Sequence, residues 1–201
     1  MLASGSRYRA QVLRDAGYEV EVDPPEVDER ALDHLFDEDP ERLALELAQR
    51  KAGVVAARHP GSTVLAGDQV GVLMTPDGPR QLTKQPEEDG AVEQLMAMSG
   101  TTHRLVNGLV VVRTDATCAV QRSMGGIDVQ EVTMRTFTRD EALAYVRRFE
   151  PFDSAGSYRL EDQDVMAPHE RFVVEVRGED PSGVLGLPLP LLGRLLDELD
   201  G

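Results

Sequence analysis

A single cysteine, Cys118, occurs in 201 residues, so no internal disulfide can form, and such usage fits a reducing cytoplasm. No uninterrupted apolar run is long enough to span a bilayer. No charged-then-apolar leader opens the chain, and no secretory signal is read there. The four histidines, His34, His59, His103 and His169, lack metal-ligand spacing, which argues against a zinc site. Internal repeats and low-complexity tracts are missing too. Positive charge is scarce: 21 Lys and Arg against 36 Asp and Glu leave a net charge of −15. That balance argues against a nucleic-acid polymer or an anionic membrane surface as partner. An anionic ligand must therefore enter a local basic pocket. What is present, 41% hydrophobic and 28% charged residues, suits one globular domain over 1–201, with room for two lobes.

One stretch stands out at the start, Leu2-Ala3-Ser4-Gly5-Ser6-Arg7-Tyr8-Arg9. Small residues let backbone N–H groups approach a ligand, and Ser4 and Ser6 bring hydroxyls. A helix is expected from Arg7 to Ala16, stopped by Gly17. Unpaired N–H groups at its start, with Arg9 turned inward, favour an anion such as phosphate. A plain serine-capped helix accounts for the same residues.

Tyr18 to Val22 reads as a short strand ended by Pro24-Pro25, and Glu26 to Arg30 as an acidic loop. Asp39-Pro40 is a strong helix start, with the helix running to about Arg58. Its apolar stripe is Leu43, Leu47, Val54 and Val55, and Lys51 falls on it by i, i+4 spacing. Such a lysine must snorkel out or meet an anion. Thr63 to Ala66 is an apolar strand that ends in Gly67-Asp68-Gln69 before Val70 to Met74 resumes. A carboxylate interrupting a buried run needs a cation, donors or a metal. Further helices are expected over about Glu87–Met98, from the capping box at Thr138 to about Phe149, and over Pro190–Leu199. Strands are expected near Arg104–Arg113, Gly126–Phe137 and Phe172–Val176. The irregular alternation predicts an α/β protein with a mixed sheet flanked by helices.

The unusual residues form one chemical set. It comprises a small-residue phosphate cradle (Ser4, Gly5, Ser6), three inward cations (Arg9, Lys51, Lys84) and the carboxylates Glu29 and Asp68. Cations offset phosphate charge, carboxylates hold Mg²⁺ or Mn²⁺, and one carboxylate can deprotonate a water. The set suits a nucleoside triphosphate with a divalent ion.

In the same order along the chain, several segments resemble the Maf-like nucleoside triphosphate pyrophosphatases. They are Leu2-Ala3-Ser4-Gly5-Ser6, Val27-Asp28-Glu29, Leu47 to Ala52, Gly67-Asp68-Gln69-Val70, Ser99-Gly100, Glu150 to Ser157 and Gly186-Leu187-Pro188-Leu189. The resemblance implies an elongated α/β fold with a nucleotide cleft between two lobes, a cytoplasmic homodimer, and metal-dependent cleavage of a nucleotide to monophosphate and pyrophosphate. It implies Asp68 as proton acceptor, Arg9, Lys51 and Lys84 as phosphate-binding cations, and Glu29 beside the metal. Within the family, the pyrimidine-nucleotide branch resembles Arg, Thr and Gln at its base-selecting positions, and the 7-methyl-GTP branch Trp, Gln and Glu. With Tyr8, Gln69 and Glu161, this chain is more similar to the second. A cationic methylated guanine can stack on Tyr8, and Glu161 can accept its N–H donors. A dTTP/UTP pyrophosphatase, a nucleotide-binding cell-division regulator and a hydrolase of oxidised or deaminated purines are the rival expectations.

Overall fold

Side-chain caps start the helices. The Asp39 carboxylate accepts from the amides of Glu41 (2.9 Å) and Arg42 (3.1 Å), opening helix α3, Pro40–Ala56, with proline in its first turn. Ser6 caps α1, Arg7–Asp15. Thr138 and Glu141 form the full capping box of α5, Arg139–Phe149. The remaining helices are α2, Leu35–Glu38, α4, Glu88–Met98, and α6, Leu189–Asp200. The computed structural model describes residues 1–201, and its strands are β1 Leu2–Ala3, β2 Thr63–Thr75, β3 Gly78–Leu82, β4 Thr102–Thr114, β5 Val120–Met134 and β6 Val173–Arg177. They form one sheet in the order β1-β2-β4-β5-β6, with β3 also paired to β2. β1 runs parallel to β2, whereas β2–β3 and β5–β6 are antiparallel, so the sheet is mixed.

By contact density the chain divides into two compact units. The first comprises Met1–Gln69, Val106–Val129 and Gly178–Gly201. Its strands are apolar on both faces, and strand periodicity sorts the side chains. Leu2, Leu65, Leu109 and Val111 pack with Ala10, Val12 and Leu13 of α1 and with Leu191, Leu192, Leu195 and Leu199 of α6. Their neighbours Ala3, Val64, Ala66, Val110 and Val112 pack with Ala48, Ala52, Val55 and Ala56 of α3. The unit is therefore three layers, helix–sheet–helix. Gly108 fixes how closely α3 lies on β4. A Cβ there would stand 2.4 Å from the backbone carbonyl of Ala44 and 2.6 Å from the Leu45 nitrogen, so only glycine fits.

The second unit comprises Val70–Leu105 and Gln130–Arg177. Helices α4 and α5 pack on each other, and Phe137 and Phe172 stack at 4.1 Å. Gln94 of α4 is buried and fully used. It accepts from the Thr83 amide (3.1 Å) and donates to Thr83 O (2.9 Å) and Ser157 Oγ (2.8 Å), pinning two loops to one helix. His103 is wholly buried, with Nε2 on the Tyr158 hydroxyl at 2.8 Å and Nδ1 without a partner. Burial lowers its pKa from 6.5 to about 4. The folded protein holds His103 neutral, so between those values the unfolded chain binds more protons and stability falls as pH falls. At about 1.4 kcal/mol per unit, we expect roughly 3 kcal/mol to be lost from this residue between neutral pH and pH 4. Urea unfolding at the two pH values should show a shallower loss in His103→Gln.

Three local expectations are corrected. Tyr18 to Val22 is not a strand: it holds one isolated bridge, Val22 to Leu2, with Leu2 N–H on Glu21 O and Asp23 N–H on Leu2 O. β1 is too short to template more pairing. Val54 is exposed, because the inward face of α3 is taken by Ala48, Ala52, Val55 and Ala56. β2 runs unbroken through Gly67-Asp68-Gln69. Strand pairing outweighs the local turn preference of Gly-Asp there.

Candidate functional site

Unbroken β2 explains how two adjacent polar residues serve different surroundings. Period-two alternation puts Asp68 on the face of Val64 and Ala66, which α3 covers, and Gln69 on the opposite face. Lys51 lies on α3, two helical turns past Leu43 and one past Leu47. Its Nζ meets Asp68 Oδ1 at 2.5 Å and Glu29 Oε1 at 2.6 Å. Asp68 and Lys51 are nearly buried, with side chains 12% and 11% exposed, whereas Glu29 reaches in from a 3₁₀ turn, Glu29–Leu32, and is 56% exposed. Burial pushes the Asp68 carboxyl above the usual carboxylate range, with Glu29 adding to it, while the charges of Lys51 and Arg9 pull the other way. A carboxylate raised in this way holds a proton more readily than an exposed one does.

The turn that brings Glu29 in is itself tied down. Asp23 accepts from Arg58 Nε and Nη2, each at 2.6 Å, and pairs with His59 Nε2 at 2.6 Å, so the loop leaves the end of α3 from a fixed point. Those hydrogen bonds hold the Asp23 carboxyl down at about 2.

On the other face of β2 lies Arg9. Its Nε donates to Gly186 O (2.9 Å) and its Nη1 to Ser4 Oγ (3.2 Å). Gly186 has φ +81°, and a Cβ there would press on the guanidinium at 3.2 Å. Glycine is therefore required twice over, by backbone and by space. Burial works against the Arg9 charge, and Asp68 and Glu29 favour it. Ser6 Oγ accepts from the Arg9 amide, and Ser4 Oγ from the Ser6 amide at 3.1 Å. The helix-cap reading of Ser6 thus holds, and each hydroxyl, accepting in these bonds, keeps its own proton for a further acceptor. Gly5 is exposed, and a Cβ there would meet only Pro24 Cβ, in ordinary contact at 3.9 Å.

Gln69 belongs to a polar set that sequence reading missed. Its Nε2 donates to Asn107 Oδ1 (3.0 Å), Gly183 O (3.1 Å) and Val184 O (3.2 Å). Asn107 Nδ2 donates to Asp128 Oδ2 (3.0 Å) and Gly183 O (2.9 Å). Asn107 interrupts an apolar strand pattern as Asp68 does, and that was the signal available; Asp128 shares its buried face with Gln130 and gave none. Tyr8 is half-buried; its hydroxyl accepts from Arg7 Nη2 (2.9 Å), whose guanidinium lies 4.9 Å above the ring. The aromatic face thus already attracts one cation.

Two expected site residues lie in the second unit. Lys84 is exposed rather than inward, on the loop Gln94 holds through Thr83. Glu161 is half-buried at the start of a 3₁₀ turn, Glu161–Val165. Its neighbour Asp162 accepts from the Tyr145 hydroxyl at 2.5 Å. No group of three or more His, Cys, Asp and Glu side chains could hold a metal ion by itself. Glu29 and Asp68 nevertheless both face one cation, the Lys51 ammonium. Two carboxylates fit a divalent ion that takes its other oxygens from phosphate and water.

The fold is a mixed α/β one whose strand β2 buries a carboxylate against a helix lysine on one face and carries an arginine from a helix start on the other. The chain belongs to the Maf-like protein family, whose model matches residues 1–199. It is 34% identical to the 7-methyl-GTP pyrophosphatase of Nitrosococcus oceani over 98% of this chain and 92% of that protein. It is 36% identical to the 7-methyl-GTP pyrophosphatase of Rhizobium etli, covering 100% and 98% of the two chains. The enzyme of that name from Xanthomonas oryzae pv. oryzae is 35% identical over 98% and 95%. No helix of this chain is long and apolar enough to cross a membrane.

Proposed function

We propose that the protein is a nucleoside triphosphate pyrophosphatase acting on 7-methyl-GTP or another modified purine nucleotide. The observation that carries this reading is Asp68, a buried strand carboxylate whose proton affinity is raised while one oxygen, Oδ1, is held by Lys51. The full-length similarity to enzymes named for 7-methyl-GTP supports the substrate class. Asp68 Oδ2 takes the proton of an attacking water as the water oxygen bonds to phosphorus. The bridging P–O bond between the α- and β-phosphates breaks, and pyrophosphate leaves with the bond's electron pair. Lys51, Arg9 and Lys84 offset the phosphate charge, and the hydroxyls of Ser4 and Ser6 donate to phosphate oxygens. Glu29 and Asp68 would hold Mg²⁺ or Mn²⁺, which would supply further charge neutralisation. Tyr8, Gln69 and Glu161 contact the base. The enzyme works in the cytoplasm as a homodimer.

Incubation of the protein with Mg²⁺ or Mn²⁺ and a nucleotide panel, followed by pyrophosphate release, tests the reading. The methylated guanine nucleotide should turn over fastest, at least about tenfold above dTTP and UTP, a margin one or two base-edge hydrogen bonds supply. Faster turnover of dTTP or UTP would reassign the protein to the pyrimidine type. No release from any nucleotide would sink the hydrolase reading.

A further inference from the structure

We infer that Asn107 and Asp128 are positioning residues for base selection: they lock the Gln69 amide so that it offers a ligand only an acceptor, Oε1, and thereby select a base edge carrying N–H donors. The inference rests on the proposed placement of Gln69 against the base. It follows from the inventory of partners. All three groups around Gln69 Nε2 (Asn107 Oδ1, Gly183 O and Val184 O) are oxygens that accept. An amide oxygen turned to that side would face three acceptors with no proton among them, so the nitrogen must point inward. The amide of Asn107 is fixed in the same way. Its Nδ2 faces two acceptors, Asp128 Oδ2 and Gly183 O, which leaves Oδ1 turned to Gln69. Orientation is thus passed along a chain, from a carboxylate to one amide and then to another.

Burial makes that chain stiff. Asn107 is wholly buried and Asp128 is 7% exposed, so neither can trade a partner for bulk water. Reversing the Gln69 amide would strand several buried polar groups at once. Asn107 shares a strand face with Leu109 and Val111, the same face as Gln69 and Leu65, so the sheet itself sets them opposite each other. Gly183 O accepts from both amides, and three residues later Gly186 O holds Arg9. The segment carrying those carbonyls therefore relates the amide lock to the phosphate-side arginine. A purine with N1–H and a 2-amino group presents two donors on one edge, and Gln69 Oε1 can accept from one of them. Loss of that donor leaves the oxygen unpaired.

The test compares guanosine triphosphate with two analogues that each lack one donor, inosine triphosphate (no 2-amino group) and 2-aminopurine riboside triphosphate (no N1–H). The wild-type protein should prefer the guanine nucleotide over at least one analogue by about tenfold in kcat/KM. Asn107→Leu and Asp128→Leu should shrink that ratio below about threefold, the change appearing in KM for the guanine nucleotide. Asp128→Asn, which keeps an acceptor oxygen and its volume, should retain the preference and covers the case in which a leucine variant fails to fold: loss of the preference there overturns the lock as stated. Ratios unchanged in both leucine variants, or equal slowing on all three nucleotides, would overturn it as well. A wild type that releases no pyrophosphate ends the hydrolase reading instead. Equilibrium binding of the same three nucleotides by calorimetry then decides the lock by the same ratios.

Discussion

Asp68→Asn should leave a folded protein whose pyrophosphate release is lower by roughly 10²–10⁴-fold, the range over which a positioned general base contributes. Asparagine keeps the shape of the side chain and one oxygen for Lys51 but cannot take a proton. The carboxylate has the attributes of a base: it is 9% exposed, one oxygen is occupied, and burial holds its pKa above the ordinary range against the pull of Lys51 and Arg9. A base acts in its deprotonated form, so kcat/KM should fall as pH falls through that raised pKa. The acid limb of the wild-type profile should accordingly lie above the ordinary carboxylate range. Asp68→Asn should lack this limb. A variant with near-wild-type turnover, or one that keeps the same limb, would remove Asp68 from the role of proton acceptor. Circular dichroism and thermal melting of the variant separate loss of the base from loss of the fold.

The elements that sequence reading located well are those whose signals are local. Asp39-Pro40, the Thr138–Glu141 capping box and the leucines of α6 each state their own boundary, and the structure follows them. Asp68 was legible because a carboxylate in a buried strand must find a cation, and Lys51 because it breaks an apolar helical face. That the two find each other is a tertiary fact: α3 must lie on the β2 face that carries Val64, Ala66 and Asp68, and the Gly108 approach helps set that position. The amide set around Gln69 was not legible for the same reason. Asn107, Asp128 and Gly183 come from three distant parts of the chain, and no spacing joins them. The short strand expected at Tyr18 to Val22 failed because its only partner, β1, is two residues long. A local alternation cannot reveal whether a neighbouring strand exists to receive it.

Lys51→Met should destabilise the folded protein by about 3–5 kcal/mol near neutral pH, the usual penalty for stranding one member of a buried ion pair. Methionine matches the length and most of the volume of lysine, so packing against α3 and β2 is largely kept. What is lost is the donor at 2.5 Å from Asp68 Oδ1. The loss should be mostly an Asp68 effect, because Glu29 is half in water and can be resolvated when its partner goes. Asp68 has two ways to relieve its isolation. Arg9 still favours its charge from the other side of β2, which sets the lower end of the range. The carboxyl can also take up a proton, and with its folded pKa raised further the folded state then binds more protons than the unfolded chain. Stability of Lys51→Met should therefore rise as pH falls through that pKa. The double variant Lys51→Met with Asp68→Asn should recover most of the loss, with a coupling of about 2 kcal/mol in a double-mutant cycle by urea unfolding. Additive effects in that cycle would mean that the ion pair contributes nothing specific to the fold. Turnover should fall in every member of the cycle, since the fold needs only a neutral or a paired site, whereas the reaction needs both charges.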